Sequence, residues 1–194
     1  MIRLASKKPD WVLGYLDEVW WSRFAQPRVS WWTADKRLKM VEREALREDT
    51  EPKAIACYGL LRKDRGEVKV RFLADRPISA ITIEFLKWIV EELKKEGKKA
   101  LLLVWDNASW HISKMVKSWL REHNREARKS GGVRILRCQL PSKSPWLNPI
   151  EPHWGDGKRA ICEPDGQLTV EMIEKRVCNY FKSAELPRLS NNTC

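Results

Sequence analysis

The chain has 194 residues, with 37 Lys or Arg against 26 Asp or Glu, giving a formal charge of +11. One domain with a sizeable core suits that length, and 43% apolar with 32% charged residues describes a globular protein rather than a disordered one. The longest strongly apolar run, Ala100 to Trp105, is far short of a membrane span, and no apolar stretch follows Lys7 and Lys8 as a secretory signal requires, so neither insertion nor secretion is expected.

Cys57, Cys138, Cys162, Cys178 and Cys194 include no C-x-x-C pair, which argues against a disulfide framework and a zinc site and for reduced thiols in the cytoplasm. The basic balance, with a pI near 9.6, points to an anionic partner, and nucleic acid is the common one. Neighbouring residues of a strand face opposite sides, so Trp20-Trp21 and Trp31-Trp32 cannot both enter one core. Packing is the expected role of most of the 11 tryptophans, with base stacking the alternative.

In chain order, Trp11 to Leu16 reads as a buried strand ending abruptly at Asp17-Glu18. Val29 to Thr33 is a short aromatic strand candidate in a polar stretch. Ala54 to Leu61 and Val68 to Leu73 flank Lys63-Asp-Arg-Gly66 as a hairpin. Ile81, Phe85, Trp88, Ile89 and Leu93 recur at helical spacing, so Ser79 to Glu96 is a helix that Gly97 can close. Lys99 to Trp105 is continuously apolar, the mark of a central strand covered on both faces, and it also ends at an acid, Asp106. Ser113 suits the N-cap of a helix to about His123, and a fifth strand follows Gly131-Gly132, from Val133 to Leu140. The prolines of Pro141 to Pro149 make an ordered loop, followed by helices around Glu151 to Ile161 and Thr169 to Lys182. The order predicts one α/β domain: a mixed five-stranded sheet covered by helices on both faces.

Ligands of open α/β sheets bind in the crevice beyond the strand ends, where this reading puts Asp17 and Asp106. If those strands are neighbours the carboxylates converge and repel unless a cation neutralises them; hard oxygen ligands suit Mg²⁺ or Mn²⁺. The stiff loop before Glu151 would aim a third carboxylate at a fixed place, although Asn148 and Glu151 also match a capping-box spacing. Asp64, Asp75, Asp156 and Asp165 read as loop acids.

Leu16-Asp17-Glu18, Trp105-Asp-Asn-Ala-Ser-Trp-His111 and Ser144-Pro-Trp-Leu-Asn-Pro-Ile-Glu151 together resemble the catalytic signature of DDE transposases, most closely the bacterial insertion-sequence branch of the mariner superfamily. The resemblance runs from about residue 10 to 182. It implies a ribonuclease H-like fold and a metal-binding catalytic triad of Asp17, Asp106 and Glu151, with Glu18 the competitor for the first position. Two Mg²⁺ or Mn²⁺ ions are the implied cofactors, and hydrolysis followed by DNA strand transfer in cut-and-paste transposition is the implied reaction. His111 matches a His of the family motif and stands for either a supporting role at the site or a structural hydrogen bond; Asn148 is a further supporting residue. Lys143, Lys158 and Arg159 flank Glu151 as phosphate contacts or solvated charges. The implied partners are double-stranded DNA, as transposon ends and target, and a second copy of the chain on that DNA. No membrane is involved; the expected place is the bacterial cytoplasm at the nucleoid. Residues 1–194 read as a single catalytic domain without the N-terminal helix-turn-helix modules of such transposases, so end recognition would come from a separate module. The competing readings are another ribonuclease H-like nuclease and a basic DNA-binding remnant without catalysis. Gly155 and Gly157 are expected to weaken the helix after Glu151, by ~1 kcal/mol each relative to Ala.

Overall fold

Buried side chains at Val12, Leu13, Leu16, Val19 and Trp21 make Trp11–Ser22 the strand β1, flanked on both sides by other strands. The computed structural model describes residues 8–24, 48–142, 144–161 and 167–191. β1 is followed by β2 (Ala54–Arg62), β3 (Glu67–Phe72), β4 (Ala100–Trp105) and β5 (Arg134–Gln139), in the sheet order β3-β2-β1-β4-β5. The β1–β2 and β2–β3 pairs are antiparallel, and β1–β4 and β4–β5 are parallel. The sheet is therefore mixed, as expected. All six residues of β4 are buried, so a continuously apolar strand sits where both faces are covered.

Helices α1 (Ser79–Lys95), α2 (Ser109–Ile112) and α3 (Lys114–Ser130) follow, and then α4 (Glu151–Ile161) and α5 (Val170–Tyr180). One face of the sheet packs Val12, Leu16, Leu60, Leu101, Leu103 and Trp105 against Phe85, Leu86 and Ile89 of α1 and Val116 and Leu120 of α3. The other packs Val19, Trp21, Cys57 and Phe72 against Trp154 and Ile161 of α4 and Ile173 and Val177 of α5. The alternation expected of the tryptophan pair in β1 is met: Trp20 is 48% exposed and Trp21 fully buried. Gly97 follows α1 at φ 70°, and Gly131 closes α3 at the same φ, a left-handed conformation that favours glycine.

Beyond shifts of one or two residues at element ends, three points differ from the sequence reading. β1 does not stop at Leu16 but continues to Ser22, because β2 pairs with it as far as Ser22↔Ala54 while β4 leaves it after Tyr15↔Val104. Asp17 and Glu18 are thus inside a strand, and only Asp106 follows a strand end. Helix α3 runs to Ser130 rather than about His123. Its polar extension is held by tertiary bonds: the Asn124 amide donates to the Ile135 carbonyl and accepts from the Ile135 N–H, each at 2.8 Å, and Ala127 is buried. Asp156 lies in α4, ion-paired with Arg159, and is not a loop acid.

The Pro141 to Pro149 segment is a loop with one 3₁₀ turn at Pro145–Leu147. Cys57, Cys138 and Cys178 are free thiols. The Val29 to Thr33 strand candidate, Trp31-Trp32, Lys143, Cys162, Asp165 and Cys194 lie outside the described residues. Among the described residues no helix is long and apolar enough to cross a membrane.

Arg62 closes the sheet far from the strand-end acids. It is 1% exposed, and its guanidinium bonds Asp64 (2.8 Å) and Glu96 (2.7 Å), tying the hairpin to the end of α1. The Arg62 hydrogen bond holds the Glu96 carboxyl below its usual range. Burial opposes the same effect at Asp64, where the hydrogen bond and charge of Arg62 nevertheless prevail. Acids with depressed folded pKa values stabilise the fold above their unfolded pKa, and that contribution is lost as pH falls through the folded one. Arg62→Met should therefore destabilise the protein by about 3 kcal/mol at neutral pH, with the deficit shrinking below about pH 4, as read by urea melts at both pH values.

Candidate active site

Asp17 is carried on the α4 side of β1, in line with Val19 and Trp21, whereas Glu18 points to the α1 side. Extending the parallel register two places beyond Tyr15↔Val104 sets Asp17 level with Asp106, just after β4. The two acids therefore stand level in neighbouring strands at one sheet edge, although Asp17 reaches it from mid-strand.

Glu151 opens α4, on the same helical face as Trp154 and Lys158. The Trp154 indole N–H donates to Asp17 Oδ2 at 3.0 Å, so the helix that carries the third acid is fastened to the first. That indole can lie against the sheet only because Gly59 stands opposite Asp17 in β2; a Cβ on Gly59 would fall 2.1 Å from Trp154 Cη2. Trp154 is further gripped edge-on by Trp21 and Phe181, at centroid distances of 6.3 and 5.5 Å.

Asn148 fixes the loop ahead of α4. Its side-chain amide donates to the Leu16 carbonyl at 3.2 Å from a buried position, and it is the Asn148 backbone oxygen that accepts the Glu151 N–H. The capping-box alternative for Asn148 and Glu151 is not realised, and the Glu151 carboxylate is left for the site. The helix glycines are not equivalent. A Cβ on Gly157 would meet Trp21 at 2.9 Å and Phe181 at 3.2 Å, so packing requires that glycine; on Gly155 it would meet only the end of Arg159, at 3.6 Å.

The electrostatics tie the three acids together. Burial, then the charges of Glu18 and Glu151, push the Asp17 carboxyl up to about 7. Burial also raises Glu151; Lys158 opposes this and Asp106 adds to it. Asp106 moves the other way, because a hydrogen bond from His111 holds its carboxyl low. Such mutual repulsion is what a bound cation would relieve, and an all-carboxylate donor set suits a hard divalent ion. Among the described residues no three His, Cys, Asp or Glu side chains are grouped closely enough to hold one ion as they stand.

His111 lies wholly inside the protein, stacked on Trp105 at 4.7 Å, with Nδ1 2.7 Å from Asp106 Oδ1 and Nε2 2.7 Å from Glu18 Oε1. The second contact has ion-pair distance without hydrogen-bond alignment. Burial disfavours the charged ring, but Glu18 and Asp106 outweigh it and push His111 up to about 9. The sequence reading singled out His111 but took Glu18 only as a competitor to Asp17 and gave no role to Trp110, whose indole N–H donates to Glu18 Oε1 at 2.7 Å. Of the basic residues, Lys158 is near enough to lower Glu151, while Arg159 is turned to Asp156.

The family profile described as DDE superfamily endonuclease matches residues 12–166. Among solved structures, the chain is similar to the Mos1 strand transfer complex, with a TM-score of 0.63 and 15% identity over 95% of this chain and 51% of that one. It is similar also to the Mos1 transposase paired-end complex with left transposon end (TM-score 0.64, 16% identity, 89% of this chain and 48% of that one). A third likeness is to the catalytic domain of Mos1 mariner transposase (TM-score 0.59, 16% identity, 95% and 76%). The chain spans about half the length of the first two. No curated protein matches it in sequence. The shared architecture is the ribonuclease H-like fold expected from the motifs.

Proposed function

This chain belongs to the DDE superfamily endonuclease family, and on that premise we propose that it cuts and rejoins DNA phosphodiester bonds as the catalytic part of a transposase. The observation that carries the reading is the placement of Asp17 level with Asp106 in neighbouring parallel strands, with Glu151 near enough to both for its charge to raise Asp17 and for that of Asp106 to raise Glu151. The likeness to the Mos1 strand transfer complex and the Mos1 paired-end complex supports transposition over simple nuclease action.

Asp17, Asp106 and Glu151 are the residues that would hold Mg²⁺ or Mn²⁺; related Mos1 complexes are described with each. A pair of such ions supplies Lewis acidity toward the scissile phosphate and its attacking and leaving oxygens. The chain's own residues do the rest. Trp154 orients Asp17, His111 orients Asp106, and Asn148 sets the start of the helix bearing Glu151. Lys158, on the Glu151 face of α4, contacts a phosphate flanking the cut, and the net charge of +11 draws DNA to the edge. In hydrolysis water's oxygen bonds to phosphorus, the bond from phosphorus to the 3′ oxygen breaks, and that oxygen leaves as a hydroxyl after gaining a proton. In strand transfer the freed 3′-hydroxyl attacks a phosphodiester of the target, loses its proton, and displaces that strand's own 3′ oxygen. No covalent enzyme intermediate is required. Two copies of the chain and a separate end-binding module complete this reading of transposition.

The test is cleavage of end-labelled duplex DNA, and joining of the product to a plasmid, in Mg²⁺ or Mn²⁺ and again after EDTA. Nicks bearing 3′-hydroxyls that vanish with EDTA and return with the metal are expected. Cutting that persists in EDTA, or a folded DNA-binding preparation inert in both metals, would sink the proposal.

A further inference from the structure

The Asp106 side chain is 48% exposed, and a carboxylate so placed would rotate freely unless something held it. Both bonds that hold it fall on one oxygen: His111 Nδ1 at 2.7 Å and the Ala108 N–H at 3.0 Å meet Oδ1. That leaves Oδ2 available to a ligand. The orientation of Asp106 therefore depends on the orientation of the His111 ring.

The ring is in turn fixed from behind by Glu18. That carboxylate is only 8% exposed, on the α1 face of β1, opposite Tyr58 in the neighbouring strand. A buried carboxylate needs partners, and Glu18 Oε1 has two: the Trp110 indole N–H and His111 Nε2, both at 2.7 Å. With Trp105 stacked on the ring, His111 has both nitrogens and one face engaged. We propose that Glu18 is a positioning residue for the metal site: it anchors His111, which orients Asp106, so that a carboxylate on one face of the sheet sets the aim of one at its edge. The proposal rests on the reading of Asp106 as a metal ligand. It also gives the second acid of the Asp17-Glu18 pair a task distinct from that of the first, since Glu18 faces away from Asp17 and is committed to Trp110 and His111.

The test measures Mn²⁺ affinity by calorimetry on the full chain, beside DNA cleavage. Outer partners of metal ligands are worth about 10–100-fold in affinity, so Glu18→Ala should weaken Mn²⁺ binding by about that factor, and His111→Ala likewise. Because the two act in series, the double variant should bind no more weakly than His111→Ala alone. Glu18→Gln keeps the oxygen that accepts from Trp110 but loses the charge facing His111 Nε2, so it should recover only part of the affinity lost in Glu18→Ala, whereas a ligand's replacement would recover none. Should Glu18→Ala fail to fold, Trp110→Phe removes the indole donor to Glu18 while leaving the ion pair with His111, and should give a smaller loss, about threefold. Wild-type affinity in a folded Glu18→Ala, additive losses in the double variant, or a Gln variant as impaired as Asp17→Asn would each overturn the proposal. A wild type that binds no Mn²⁺ fails differently, overturning the metal-ligand reading and the proposal with it.

Discussion

Asp106→Asn should leave a folded protein that binds DNA yet cleaves it about a thousandfold more slowly or worse, a loss of about 4 kcal/mol in transition-state stabilisation. The Asn oxygen can still accept from His111 Nδ1 and the Ala108 N–H, so the local structure has no reason to change. The basic surface is also untouched, so affinity for duplex DNA and its steep fall with salt should persist. Asp17→Asn should be equally inactive, but with a stability signature of its own. Without metal, the folded protein holds the Asp17 proton up to about pH 7, well above the unfolded value of 3.8. A raised acid pKa means that stability falls as pH climbs through that interval. Asp17→Asn should therefore be more stable than wild type above neutrality, by about 4 kcal/mol, and nearly equal to it near pH 4. Added Mg²⁺ or Mn²⁺ should raise the wild-type melting temperature and do little for the variant. Melting curves across pH, with and without metal, decide the matter; a wild type indifferent to metal at every pH would refute it.

Gly59→Ala, a single added carbon at the position paired with Asp17 in β2, should be nearly as damaging. The new Cβ would overlap Trp154 Cη2 and Cζ2, at 2.1 and 2.6 Å, and the indole has no room to retreat between Trp21 and Phe181. Overpacking of this kind costs about 1–3 kcal/mol. The indole must tilt, which breaks its bond to Asp17 and shifts the first turn of α4, where Glu151 sits. Misplacing a catalytic group by an ångström costs about a hundredfold in rate. The control is Gly155→Ala on the same helix, whose Cβ meets only Arg159 at 3.6 Å. It should gain about 0.5–1 kcal/mol from helix propensity and keep its activity. Urea melts and cleavage rates for the pair test both halves; a Gly59→Ala protein as active as Gly155→Ala would refute the packing argument.

The mixed sheet, the helices on its two faces and the convergence of the strand acids were legible because they depend on pattern: apolar runs for buried strands, 3.6-residue spacing for α1, prolines before α4. What was not legible depends on partners distant in the chain. The length of β1 is decided by β2, which pairs beyond the point where β4 ends. The last turns of α3 look like surface because their stabilising contact is Asn124 with the Ile135 backbone. Gly157 reads as a weak helix residue until Trp21 and Phe181 are seen against it. Glu18 reads as a rival to Asp17 because adjacency in sequence says nothing about which face of a sheet each will occupy until register is known.

That adjacency has a consequence for how the chain must fold. A strand's side chains alternate, so sliding β1 by one place against its neighbours would exchange Asp17 and Glu18 and present a carboxylate to each face all the same. Charge and polarity at the edge would hardly distinguish the slipped sheet from the correct one. The flanking residues would: Trp20, now exposed, would turn inward, and Trp21 would be expelled into water. Large aromatic side chains flanking the two acids on one strand thus proofread the alignment of a pair that could not proofread itself.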